Sequence, residues 1–187
     1  VDLLYLVGIK GYYKALGFKT AMQRSKLSIL TNELPRCRNV SIQNFKKNYT
    51  ANIKSCFQDL SCLSNYSSVR NVEDWEWLLE YATGSYYFFK PKVVLNQLGH
   101  FVGYFTHDPV EPCRLREAAY LLAENEIESF LAGLGHYSES QKLNELEIMT
   151  YPNSPLHCYC KKYLNFSFVK IHNNDGGQML KELNPSL

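Results

Sequence analysis

His157, Cys158 and Cys160 are the densest group of metal-ligand residue types in the sequence. With Cys113 or His136 they could make up the four nitrogen and sulfur ligands that a tetrahedral zinc ion takes. A Cys-X-Cys pair in a strand points both thiols to one face, so the geometry is conceivable. The paired C-x-x-C knuckles of structural zinc are absent, however, and half-cystines or buried thiols explain the group more simply. No metal and no cofactor is assigned from it. His100 and His107 stand seven apart, with Asp108 next to the second, and a cysteine–histidine–aspartate site could draw on them. No flanking pattern marks a cysteine as a nucleophile. No G-x-S-x-G, no H-E-x-x-H and no phosphate-binding glycine loop occurs. A cysteine- or histidine-dependent enzyme therefore ranks third among the functional readings. The carboxylates Glu73, Asp74, Glu76, Glu80, Glu124 and Glu128 sit where helix starts and solvated helix faces would put them.

Two surfaces could bind a partner. Residues 75–89 hold Trp75, Trp77, Tyr81, Tyr86, Tyr87, Phe88 and Phe89, and Trp and Tyr dominate binding hot spots. A helix that turns Trp75 inward turns Trp77 elsewhere, so Trp77, Tyr86 and Tyr87 are the candidate interface. Arg36, Arg38, Lys46, Lys47 and Lys54 interleave with Asn44 and Tyr49 as a candidate basic face for phosphates or nucleic acid. It lacks a stacking motif or a recognition-helix pattern. Residues 1–70 carry 11 Lys/Arg against 3 Asp/Glu, and residues 71–149 carry 5 against 13. Such halves can neutralise each other internally as well as meet an outside partner.

The six cysteines are Cys37, Cys56, Cys62, Cys113, Cys158 and Cys160. An even number allows three disulfides, whose connectivity the sequence leaves open. Asn-X-Ser/Thr sequons occur at Asn39, Asn48, Asn65 and Asn165, against about two expected by chance. Asn39 and Asn65 fall where loops are expected and are the candidate glycosylation sites. These features lean towards a secreted or cell-surface setting, with an intracellular one almost equally supported. No cleavable signal peptide is recognised. The longest uncharged apolar run, Leu3–Ile9, is far short of the roughly 20 residues of a membrane-spanning helix.

The elements that must position these residues read as mostly helical. The apolar spacing predicts helices over 2–16, 19–30, 41–63 and 71–84. Asn71 would cap the last of these and Gly84 would end it. Pro91 fits the first turn of a further helix to 105, on which Gly99 and Gly103 share a face. Pro112–Leu134 has the clearest pattern, with Leu115, Ala119, Leu122, Ile127, Phe130, Leu131 and Leu134 as its stripe. A helix over 138–149 would start on the spacing of Ser138 and Gln141. Residues 85–89 suit either a strand or a helix, and 158–171 alternate as a strand. The chain of 187 residues, 45% hydrophobic and 20% charged, fits one domain.

The resulting expectation is a mainly α, single-domain bundle of about five to seven helices with a short C-terminal β-ribbon, the alternative being α+β. It spans 1–172 and is followed by a loosely ordered tail, 173–187. The function expected is non-catalytic protein–protein binding, in one version as a secreted or cell-surface, disulfide-bonded glycoprotein ectodomain. An intracellular module for nucleic acid or phosphate is the alternative. Another protein is the expected partner, and no membrane span is expected.

Overall fold

The computed structural model of the protein describes residues 3–7, 19–20, 25–36, 39–63, 70–81, 90–170 and 178–182. Its centre is a mixed sheet, not a helical bundle. Seven strands lie in the order β4 (Ser41–Asn44), β5 (Lys92–Leu95), β6 (Phe101–His107), β7 (Arg114–Tyr120), β8 (Glu145–Thr150), β3 (Ser25–Leu30) and β9 (Ser167–Lys170). All neighbours run antiparallel except β7 and β8, which are parallel. A smaller antiparallel sheet pairs β10 (Gln178–Glu182) with β1 (Leu3–Val7) and β2 (Lys19–Thr20). Four α-helices occur among the described residues: α1 (Thr50–Cys62), α2 (Val72–Glu76), α3 (Glu124–Ser140) and α4 (Pro155–Tyr163). One wider, π-type turn, Trp77–Tyr81, extends α2.

The expectation of a mainly helical protein is corrected by β5 and β6. Val93, Val94 and Leu95, and Phe101, Val102, Tyr104 and Phe105, are all buried. Val93, Leu95, Phe101 and Tyr104 meet α1 and α2 on one face, while Val94, Val102 and Phe105 meet α3 on the other. Strands covered on both faces lose their alternation and read as apolar runs, so their spacing also fits a helix. Between them Asn96 closes a tight turn. Its carbonyl accepts from the Gly99 amide at 2.9 Å and its side chain accepts from the Leu98 and His100 amides at 3.0 and 3.1 Å. Gly99 takes φ +76° there, the left-handed position that ends such a hairpin loop.

The expected helix from Pro112 divides in two. Arg114–Tyr120 is a strand held between β6 and β8, although Arg, Glu and Ala favour helix intrinsically; tertiary pairing overrides that preference. From Ile127 onwards the expected stripe is the buried face of α3. Gly133 lies where α3 crosses β5, and a Cβ there would overlap Val94, so the helix approaches the sheet unusually closely. The helix expected over 138–149 is replaced by the end of α3 and by β8. Ser138 is buried within α3, its hydroxyl donating to the Leu134 carbonyl at 2.9 Å. Helical expectations for 2–16 and 19–30 meet strands β1, β2 and β3. The 41–63 helix forms only from residue 50. Residues 158–163 are helical in α4, not strand.

Crossover α3 connects the two parallel strands. Their register covers only Arg114↔Glu147 and Leu115↔Ile148. Beyond it, Gly103–Thr106 of β6 pair with residues 117–120 of β7, while β8 pairs with β3. The two strands therefore part at their carboxyl ends, and the crevice between them is occupied by Tyr120 and the start of α4. No helix among the described residues is long and apolar enough to cross a membrane.

Candidate functional site

In sheets with parallel crossovers, ligands bind outside the carboxyl ends of the strands. Here that place is bounded by Leu121–Ala123, the first turn of α3 and the start of α4. The Tyr120 hydroxyl accepts the Leu156 amide of α4 at 3.0 Å, bridging the gap between the strands. Burial pushes the Tyr120 phenol up from its ordinary value, so it stays protonated. Ser154 caps α4, accepting the His157 amide at 3.1 Å and pairing with the Thr150 hydroxyl at 2.7 Å. Pro155, at the first helical position, needs no amide partner. Glu124 opens α3 and accepts from Lys162 Nζ at 3.0 Å and from the Tyr163 hydroxyl. Those two donors hold its carboxyl below the ordinary value, the tyrosine contributing most. Two buried oxygens lack a hydrogen-bond partner among the described residues, Glu126 Oε2 and the Tyr151 hydroxyl, and both residues belong to the segments bounding this crevice.

A second polar cluster lies on the opposite face. Arg70 donates through both guanidinium nitrogens to Glu117 of β7, one contact at 2.9 Å, and the Tyr104 hydroxyl donates to the same carboxylate at 2.6 Å. The guanidinium stacks over Phe57 at 4.1 Å and Trp75 at 4.8 Å. The carboxylate accepts from three donors, and it docks α1 and α2 on the sheet. A third feature is a cavity of about 360 Å³ between Thr31–Arg36 and the Gly135–Glu139 stretch of α3.

The ligand types picked out by spacing are not brought together. Cys158 is exposed and Cys160 is buried, because two residues along a helix point to different sides. His157 Nδ1 accepts the Asn153 amide at 3.0 Å. Among the described residues no three His, Cys, Asp or Glu side chains cluster as a metal site. His100 and His107 lie at opposite ends of β6. His107 stacks on Tyr137 with centroids 5.4 Å apart, and Asp108 accepts from Arg116 and from the Val110 and Glu111 amides. Burial pushes the thiols of Cys56 and Cys160 up to about 12, the Asp59 charge adding at Cys56, which removes them as nucleophiles near neutral pH.

The disulfide framework is corrected. Cys56, Cys62, Cys113, Cys158 and Cys160 are free thiols, and Cys37 lies outside the described residues. Asn39 is exposed with its amide 3.4 Å from Gln97, and Asn65 lies outside the described residues. Of the aromatic candidates, Trp75 is buried while Trp77 is 51% exposed; Tyr86 and Tyr87 lie outside the described residues. Arg36 borders the cavity, Lys46 is exposed, Lys54 is half-buried and Lys47 pairs with Glu80 at 2.9 Å. Arg38 is outside the described residues. Sequence reasoning missed the β7–α3–β8 crevice, whose residues 120–126 and 150–156 meet only through the parallel pairing.

The sequence matches no protein-family model and no curated protein. The fold does match solved structures. A conserved protein of unknown function from Enterococcus faecalis, a probable N-acyltransferase, superposes with TM-score 0.61 at 15% identity, over 97% of this chain and 45% of its own. A GCN5-related N-acetyltransferase from Kribbella flavida gives 0.61 and 15%, over 97% and 43%. One from Anabaena variabilis gives 0.61 and 13%, over 97% and 46%. The chain thus has the fold of GCN5-related N-acetyltransferases and spans under half the length of these structures. This finding overturns the expectation of a non-catalytic helical binding domain. The free thiols also overturn the disulfide-bonded version of that domain, and the shared fold lends its glycosylation and secretion no support.

Proposed function

We propose that the chain supplies an acetyltransferase-fold unit to an N-acyltransferase, a protein that forms an amide by moving an activated acyl group onto an amine nitrogen. The observation that supports this reading is the β7–α3–β8 crossover, whose parallel strands part at their carboxyl ends, in a fold shared with solved N-acetyltransferases over 97% of the chain. The amine nitrogen becomes bonded to the acyl carbon, the carrier departs with its electron pair, and the amine gives up one proton.

Coenzyme A is the general carrier of acyl groups, and helix N-termini reached through glycine-rich turns are the usual cradle for a diphosphate. The residues at the start of α3 do not fit that group. The connection Leu121–Ala123 has no glycine, and Glu124 and Glu126 occupy the first turn. No chemical step is therefore assigned to residues of this crevice.

The test is acyl transfer by the full-length protein. Incubation with acetyl-coenzyme A and a panel of primary amines is expected to release thiol in proportion to an amine product heavier by one acetyl group. Absence of amine-dependent thiol release with short, medium and long acyl donors would refute the reading.

A further inference from the structure

We infer that the first turn of α3 is closed to the diphosphate of an acyl donor, and that the donor is held elsewhere in the protein. This inference rests on the acyltransferase reading above. Three independent features of the junction carry it.

The charge there is of the wrong sign. A helix N-terminus offers about half a positive elementary charge. Glu124 and Glu126 each add a full negative one, and the cation beside them, Lys162, is already bound to Glu124 at 3.0 Å. The amide donors are also partly used. Of the first-turn N–H groups that a helix start leaves over, that of Glu126 donates to the Ala123 carbonyl at 2.9 Å. The backbone approach is blocked as well. No glycine lies between Tyr120 and Glu126, and Leu122, 40% exposed, stands in the connection. The slot leading inward between the strands is bridged by the Tyr120–Leu156 hydrogen bond. In place of an anion cradle, Glu124 with Lys162 and Tyr163 forms a clamp from the start of α3 to the end of α4. The solved structures that share the fold are more than twice as long as this chain.

The experiment maps coenzyme A on the full-length protein by hydrogen–deuterium exchange, and measures its affinity by calorimetry in the wild type and in the Glu126→Gln and Glu124→Gln/Glu126→Gln variants. Residues 121–130 are expected to show no protection while another region does, with the affinity unchanged in both variants. Protection of 121–130, or affinity tightened by about tenfold when the carboxylates beside a multiply charged ligand are neutralised, would overturn the inference. The wild-type exchange map decides the matter even where a variant folds poorly. Failure of the full-length protein to bind coenzyme A at all would count against the acyltransferase reading and agree with a closed α3.

Discussion

The two faces of the seven-stranded sheet are covered by helices that are fastened in different ways. On the α3/α4 face the contact is almost wholly apolar: Ile127, Phe130, Leu131 and Leu134 lie on Val94, Val102, Phe105 and Leu115, and Gly133 brings the helix close. On the α1/α2 face an apolar layer surrounds one charged fastening, Arg70 on Glu117 with the Tyr104 hydroxyl, the guanidinium lying over the edge-to-face rings of Phe57 and Trp75. The difference shows what each face supports. The apolar face carries the crossover that shapes the crevice, and there position depends on steric fit. The other face holds the short α2 and the segment entering it, elements too small to bury much surface, so a directional ion pair fixes them.

Breaking the charged fastening is expected to have the largest effect. Arg70→Ala leaves the mostly buried Glu117 without its cation and should cost about 3 kcal/mol, measured as a shift in urea unfolding. A loss under about 1 kcal/mol, the range of surface pairs, would show that the pair only decorates the face. Replacing both partners with apolar residues, Arg70→Met with Glu117→Leu, should cost less than Arg70→Ala alone.

On the apolar face, Gly133→Ala forces a methyl group against Val94. Overpacking of this kind costs about 1–3 kcal/mol, and a Val94→Ala second change should restore part of it. At the crevice, Tyr120→Phe leaves the buried Leu156 amide unpaired. The expected loss is about 1–2 kcal/mol, accompanied by faster amide exchange at Leu156; wild-type exchange there would mean that the bridge does not hold α4.

How much of this was legible in the sequence depended on how each segment is buried. The Ile127–Leu134 stretch of α3 and the Ile53–Leu60 stretch of α1 show a one-sided stripe, and both are helices where the spacing put them. Asn71 is read as a cap from its type and position, and the structure closes a capping box between it and Asp74 at 2.7 and 2.9 Å. Strands β3 and β8 did carry a signal: Leu27 and Ile29, and Leu146 and Ile148, are buried alternately with Lys26, Ser28 and Glu147. That alternation competed with a helical reading of short segments. β5 and β6 carried no such signal, being buried on both sides. The crevice was not legible, because it arises from a two-residue parallel register between segments more than thirty residues apart.

The smallest expected effect concerns acid. Arg116 and the amides of Val110 and Glu111 hold the Asp108 carboxyl down to about 2 from an ordinary 3.8. A carboxyl lowered in the folded state stabilises above its unfolded value and loses that contribution as pH falls through the folded one. Stability should therefore drop further between pH 4 and pH 2 in the wild type than in Asp108→Asn, as followed by acid titration of the unfolding midpoint. Equal acid slopes would remove Asp108 from the turn's electrostatics.

In the reading proposed above, the acetyltransferase-fold unit parts its parallel strands at the β7–α3–β8 crossover but is closed to a donor's diphosphate at α3. A crystal structure of the full-length protein with coenzyme A tests it most directly. The expected result is this mixed sheet with its parallel β7/β8 pair, Glu124 still clamped by Lys162 and Tyr163, and the diphosphate bound away from residues 121–130. A diphosphate seated on the Glu124 and Asn125 amides would contradict it.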